Sequence, residues 1–185
     1  MNKKLLEILS KYYGYTSFRE GQESIINSIL SEKDVLAIMP TGGGKSICYQ
    51  IPALILDGMT IVISPLISLM KDQVDALKTM GISAAFINSS LSSKEFNEIL
   101  NNIRKNNYKI LYIAPERLDA QEFIELINNN NVSQVAIDEA HCVSQWGHDF
   151  RLSYRRISDF IKNLPKRPIV TAFTATASEE VRTDI

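Results

Sequence analysis

Met39-Pro40-Thr41-Gly42-Gly43-Gly44-Lys45-Ser46 is the stretch from which the fold is read. It follows an apolar run, Val35 to Met39, and leads into a helical pattern. Three successive glycines let the backbone double back and aim its N–H groups at one point, and the following helix turns its positive end to the same point. A chain built this way cradles the phosphates of a nucleoside triphosphate. Thr41, Gly42, Gly43 and Gly44 would form the cradle, Lys45 would reach the β and γ phosphates, and Ser46 would hold Mg²⁺. The usual loop of this kind has Gly where Met39 stands. A flexible Gly linker seldom lies between a strand and a helix, and a dinucleotide loop carries no lysine and spaces its glycines apart.

Outward from this loop, apolar runs recur between amphipathic stretches: Ile61-Val62-Ile63, Ala84 to Ile87, Ile110 to Ile113, Val135-Ala136-Ile137 and Ile169 to Phe173. With Val35 to Met39 they predict six buried strands. Helical patterns fill the intervals, as in Ser68 to Met80 ending at Gly81, and Glu95 to Arg104 with Phe96, Ile99, Leu100 and Ile103 on one face. Before the loop, Leu5, Ile8, Leu9 and Tyr12 mark one short helix, and Ile25, Ile26, Ile29 and Leu30 another. Strand and helix therefore alternate, which predicts an α/β fold with a mostly parallel sheet and helices on both faces. Pro52 falls less than two turns into the helix after the loop, so that helix is expected to kink or restart there. The asparagines at 101–102, 106–107 and 128–131 are expected at helix ends, where Asn tolerates turn conformations.

With 185 residues, 45% of them apolar, the chain suits one domain. Twenty Lys and Arg stand against 21 Asp and Glu, so there is no overall basicity, and any nucleic-acid surface must be local. No apolar run reaches membrane-spanning length, and the N-terminus lacks a secretory apolar core, so a cytoplasmic protein without a membrane partner is expected. Cys48 and Cys142 have no metal-ligand spacing and read as buried reduced thiols.

In a parallel sheet the ligand site lies beyond the carboxyl ends of the strands, and the polar motifs collect there. Asp138-Glu139 ends the fifth strand: Asp138 is assigned to magnesium, through water, and Glu139 to polarising the attacking water. His141 could bridge this pair to Thr174-Ala175-Thr176, or be a satisfied, partly buried histidine. Ser144 to Arg151 interleaves Trp146, Phe150 and Arg151 with small and polar residues, a composition that suits stacking on unpaired bases or plain core packing. Upstream, Tyr15, Phe18, Arg19 and Gln22 form a cluster in which Gln22 offers the donor and acceptor needed to read an adenine edge. From these residues alone, packing at a helix entry is the favoured reading of that cluster.

Phe18-Arg19-Glu20-Gly21-Gln22, the run from Met39 to Ala53, Ser64 to Val74, Tyr112 to Leu118, Asp138 to Arg151 and Thr171 to Ala177 together resemble the RecQ family of ATP-dependent DNA helicases, in the expected order over nearly the whole chain. The resemblance implies the first RecA-like motor lobe, with ATP and Mg²⁺ as cofactors. It implies that Gln22 recognises adenine, Tyr15 stacks on the base and Arg19 lies nearby. It implies that Trp146, Phe150 and Arg151 couple DNA to hydrolysis, and that Ser68, Lys71 and Arg117 contact the strand. Glu20 stands where many relatives have proline, a tolerable change because Arg19 and Gln22 persist. Single-stranded and partly duplex DNA, and a second RecA-like lobe, are the implied partners. That lobe, its arginine fingers and any zinc-binding or winged-helix region do not occur in these residues, so the chain is expected to be a piece of a longer helicase. Such a protein works at the nucleoid of a bacterium or in a nucleus. An RNA helicase of the same superfamily, or a nucleotide-dependent scaffold without motor activity, are the alternatives.

Overall fold

The computed structural model describes residues 3–144 and 152–185. Helix α1 (Lys3–Ile8) runs into a π-helical turn, Leu9–Tyr13, that stops at Gly14. Then come α2 (Gln22–Leu30), β1 (Val35–Ile38), α3 (Lys45–Ile55), β2 (Met59–Ile63), α4 (Ile67–Thr79), β3 (Ala84–Ile87), α5 (Ser93–Arg104) and β4 (Ile110–Ile113). After a 3₁₀ turn at Pro115–Arg117 follow α6 (Gln121–Asn128) and β5 (Val132–Ile137). Two more 3₁₀ turns, Ala140–Val143 and Leu152–Arg155, precede α7 (Arg156–Lys162), β6 (Ile169–Thr174) and α8 (Glu179–Asp184).

All six strands pair in parallel, in the order β1-β6-β5-β2-β4-β3. Alternation along each strand divides its side chains between two cores. Ile61, Ile63, Leu111, Ile113, Val135 and Ile137 pack on one face with Leu100, Ile103, Phe123, Ile127, Ile157 and Phe160 of α5, α6 and α7. Val62, Tyr112, Ala136 and Phe173 pack on the other with Ile29, Tyr49, Ala53, Met70, Val74 and Leu77 of α2, α3 and α4. A small outer cluster, Leu5, Leu9, Ile26 and Ile51, fastens α1 to α2 and α3.

Register is what positions the site. Ile87, Ile113, Ile63 and Ile137 align across β3, β4, β2 and β5. The next residues extend that row: Ala114, Ser64 and Asp138 donate their N–H groups to Ile87, Ile113 and Ile63 carbonyls at 2.9, 3.2 and 2.8 Å. Motifs far apart in sequence thus end at one height on one rim.

Three local expectations change. β1 is an edge strand, with Ala37 buried but Leu36 and Ile38 exposed, because one neighbour and one covered face leave its other face open. The helix after the loop does not restart at Pro52, since that residue lies in the last turn. Only the Cys48 carbonyl loses an N–H partner to the proline ring, and Pro52's own carbonyl accepts from Leu56 at 2.8 Å. Asn101 and Asn102 lie inside the last turn of α5, while Asn106 takes the left-handed conformation just past it. The C-terminal end of α3 is tied down by Lys109, whose Nζ donates to the Leu56 and Gly58 carbonyls at 2.5 and 3.0 Å.

The core carries a polar rung across three strands. Thr60 Oγ1 donates to Gln134 Oε1 at 3.4 Å, and Gln134 Nε2 donates to Thr171 Oγ1 at 3.1 Å, with all three residues fully buried. Burying an amide is tolerable when both of its ends are bonded. Gln134→Ala, which strips two hydroxyls of their partner and opens a void, should lower unfolding free energy by about 2–4 kcal/mol in urea titration.

Candidate active site

Between β1 and α3 the chain makes the tight phosphate-type loop. Gly43 N–H closes back on the Pro40 carbonyl at 2.9 Å, and Gly42 and Gly44 hold φ of 77° and 82°. Gly44 is doubly constrained, because a Cβ there would also lie 2.3 Å from Gln22 Nε2. Met39, the departure from the usual loop, is buried with its sulfur 3.9 Å from Cys48 Sγ. Its side chain belongs to the core and leaves the cradle clear. Both cysteines are buried and free of disulfide, and burial pushes the Cys48 thiol up to about 12.

The loop opens onto a cleft of about 470 Å³, within the roughly 300–1,000 Å³ typical of ligand sites. One wall is Tyr15, Arg19 and Gln22, the floor is Thr41, Gly42, Gly44, Lys45 and Ser46, and the far wall is Asp138 and Glu139. Leu69 and Gln73, one turn apart on α4, complete it. Neither was singled out in the sequence; their i, i+4 spacing inside an amphipathic helix was the available signal.

Gln22 is 2% exposed and fully engaged. Its Oε1 accepts from the Arg19 N–H at 2.8 Å, and its Nε2 donates to the Gly43 and Gly44 carbonyls at 3.4 and 3.2 Å. Arg19 in turn bonds the Gly42 carbonyl through its guanidinium. The cluster before α2 therefore clamps the glycine loop, and Tyr15 stands half-exposed at the mouth.

Across the cleft, Glu139 sits in the left-handed region, φ 49° and ψ 48°. Glu139 Oε1 lies 3.8 Å from Lys45 Nζ, and Oε2 lies 3.4 Å from His141 Nδ1. The same His141 nitrogen is 2.9 Å from Thr174 Oγ1, which donates to the Thr176 carbonyl at 2.9 Å. His141 is thus a buried bridge between the ends of β5 and β6. Asp138 accepts from the Glu139 N–H at 3.0 Å, and its carbonyl accepts from buried Tyr154 at 2.8 Å. Tyr154, remote in sequence, carried no signal of this role.

Burial, reinforced by the neighbouring Glu139 charge, pushes the Asp138 carboxyl up to about 6, only partly opposed by the Glu139 amide and by Lys45. A desolvated carboxylate short of positive charge, lining the same cleft as Ser46, fits a divalent cation. No group of three or more His, Cys, Asp or Glu among the described residues could hold a metal alone.

Of the other proposed nucleic-acid residues, Ser68, Lys71 and Arg117 lie off the cleft. Ser68 and Lys71 are exposed on α4, and Arg117 is half-buried over the Phe96 ring at 5.9 Å. Trp146, Phe150 and Arg151 lie outside the described residues.

A lysine loop facing paired strand-end carboxylates on this sheet is the geometry of a nucleoside-triphosphate site. The DEAD/DEAH box helicase family matches residues 19–184. The chain belongs to this family. Among relatives of the DEAD/DEAH chain, the ATP-dependent DNA helicase RecQ of Bacillus subtilis is 56% identical over 96% of it, and that of Haemophilus influenzae 49% identical over 97%. The chain spans 30% and 29% of the lengths of those two proteins. A solved structure of a hypothetical ATP-dependent RNA helicase from Sulfolobus tokodaii superposes with TM-score 0.70 at 25% identity, over 98% of this chain and 53% of that one. The fold is that of a RecA-like helicase lobe. No helix among the described residues is long and apolar enough to cross a membrane.

Because its folded pKa lies above the ordinary carboxylate value, Asp138 weakens the fold once ionised. The loss grows as pH rises from about 4 to about 6 and is complete above that. Asp138→Asn, without added metal, should therefore raise the melting temperature by several degrees at pH 8. The gain should vanish near pH 4, a profile that differential scanning calorimetry would trace.

Proposed function

We propose that this DEAD/DEAH lobe is the ATP-binding motor lobe of a RecQ-type DNA helicase. In that role it couples ATP hydrolysis to 3′-to-5′ movement along single-stranded DNA and to duplex unwinding. The observation that carries the reading is the juxtaposition of Lys45, Asp138 and Glu139 across one cleft, joined by the likeness to the B. subtilis protein.

Lys45, paired with Glu139 when the cleft holds no phosphate, exchanges that partner for the γ-phosphate of the substrate. Ser46 and Asp138, the latter through water, would hold Mg²⁺, which draws charge from the phosphate oxygens. Glu139, released from Lys45 and steadied by His141, orients the attacking water. The adenine enters beside Tyr15, which stacks on it, and Gln22 reads its edge by giving up bonds that it now makes to Arg19 and the loop. Base recognition is thereby linked to the shape of the phosphate cradle.

An arginine finger from a second RecA-like lobe would supply about a thousandfold or more in rate. ATP binding would close that lobe onto this one, and hydrolysis would release it. On the DNA side, Trp146 and Phe150 stack on unpaired bases, Arg151 carries the signal back toward Asp138-Glu139, and Ser68, Lys71 and Arg117 follow the backbone. An RNA strand is the second reading, favoured by the description of the S. tokodaii structure.

In the protein containing both lobes, Lys45→Ala should reduce ATP hydrolysis at least 100-fold while leaving circular dichroism unchanged; near-normal turnover would refute the assignment. Single-stranded DNA should stimulate the wild-type ATPase several-fold more than RNA of the same sequence, and equal or greater stimulation by RNA would shift the reading to an RNA helicase. Joint replacement of Trp146 and Phe150 by Ala should abolish that stimulation without altering the basal rate, whereas full stimulation in the double variant would assign both rings to packing.

A further inference from the structure

A continuous row of buried polar side chains leaves the phosphate end of the cleft and ends on α4. Tyr49, one turn after Ser46 on α3, is 2% exposed, and the Ser46 side chain is among the groups that act on its hydroxyl. Its hydroxyl lies 3.3 Å from that of Tyr112 on β4. Tyr112, 1% exposed, accepts from Gln50 Nε2 at 2.9 Å. The second N–H of the same amide goes to Gln73 Oε1 on α4 at 3.0 Å, and Gln50 Oε1 accepts from Tyr13 at 3.0 Å. Gln50 is 3% exposed, with its polar atoms committed to three different elements.

This row is unlike an ordinary core. It crosses the apolar layer between β4 and α3, where Tyr49 also meets Phe173 edge-on at 5.4 Å, and phenylalanine and leucine would fill the same volume with no hydroxyl to satisfy. In low dielectric a fully bonded polar chain is rigid, and breaking any link strands its neighbours without partners. Displacement at one end is therefore not absorbed along the way. The two ends are also unlike. Ser46 is where the phosphate and cation are expected, whereas Gln73 sits on a helix whose Leu69 and Gln73 face the cleft while Ser68 and Lys71 face solvent. Met70, Val74 and Leu77 anchor the third side of α4 in the core, so the helix responds as one body. Gln50's remaining partner, Tyr13, ends the π-helical turn just before Gly14 and Tyr15.

We propose that Gln50 and Tyr112 are positioning residues: through the row Ser46-Tyr49-Tyr112-Gln50-Gln73 they set the position of α4 according to whether the phosphate end of the cleft is filled, and so present Ser68 and Lys71 differently in the two states. The inference rests on the nucleotide reading above but not on hydrolysis, unwinding or the identity of the nucleic acid. It supplies the cleft with a second exit, distinct from the His141 bridge on β5 and β6.

Hydrogen exchange on this chain, with and without a slowly hydrolysed ATP analogue and Mg²⁺, tests both levels at once. In the wild type the analogue should slow exchange in the loop at residues 42–46 and in the first two turns of α4 at residues 67–73, each by fivefold or more. Tyr112→Phe removes one oxygen and keeps the ring, so loop protection should persist within twofold while the α4 response disappears. Tyr49→Phe cuts the row at a different link and should give the same separation, which guards against a folding defect in either variant alone. Tyr13→Phe removes a bond from Gln50 outside the row and should keep the α4 response. Wild-type loop protection without an α4 response, or an α4 response that survives both Tyr112→Phe and Tyr49→Phe, overturns the proposal. Absence of loop protection in the wild type overturns it too, and removes the nucleotide reading with it.

Discussion

The Lys45 ammonium faces the Glu139 carboxylate across a gap set by the sheet, because β6 lies between the strand that carries the loop and the strand that carries the acidic pair. Two inter-strand spacings amount to about 10 Å, a distance that a lysine and a glutamate reaching toward each other can close and that shorter side chains could not. β6 fills the interval with His141's partner, Thr174, so the three strand ends behave as one block. Had β1 paired directly with β5, no room for phosphates would remain between loop and acids. Strand order is therefore the constraint on which the cleft depends, and the clamps from Arg19, Gln22 and Tyr154 refine a geometry that it already permits.

The scaffold also holds groups that would be unfavourable elsewhere. Asp138 is a buried carboxylate with too little positive charge beside it, and Glu139 occupies a backbone conformation that non-glycine residues avoid. Both are adjacent, both face the cleft, and both are over-determined by neighbours: the register of β5 with β2 fixes the first, and the 3₁₀ turn Ala140–Val143 fixes the second. Unfavourable local energy is thus concentrated at two consecutive residues, the pair proposed to hold a cation and orient a water molecule.

Much of this was legible in the chain itself, for identifiable reasons. The loop and the strand ends are local patterns, so Gly44, Lys45 and Asp138 could be placed by reading along the sequence, and alternation of strand and helix gave the parallel class. What could not be read was lateral. Nothing in Ile169 to Phe173 says that this strand inserts between β1 and β5, and so nothing said that β1 would be an edge with Leu36 and Ile38 uncovered. Gln22 was legible as a polar residue near the nucleotide, but its grip on the Gly43 and Gly44 carbonyls depends on how α2 meets the loop in space. Gln50 and Tyr112 escaped for the same reason: 62 residues separate them, and each alone looks like an incidental polar residue in an apolar run. Pro52 misled because the rule against internal proline weakens in a last turn, and only the helix's length reveals where that turn falls.

Lys109 gives α3 an electrical asymmetry. Its ammonium sits on the carbonyls just past the far end of the helix, where the peptide dipoles leave partial negative charge. That pole is thus neutralised from within the protein, by a lysine on the threshold of β4, while the opposite pole at Lys45 and Ser46 opens onto the cleft. A helix whose tail is matched by a cation keeps its positive end for the cleft, so a residue near the bottom of the sheet favours an anion at the top.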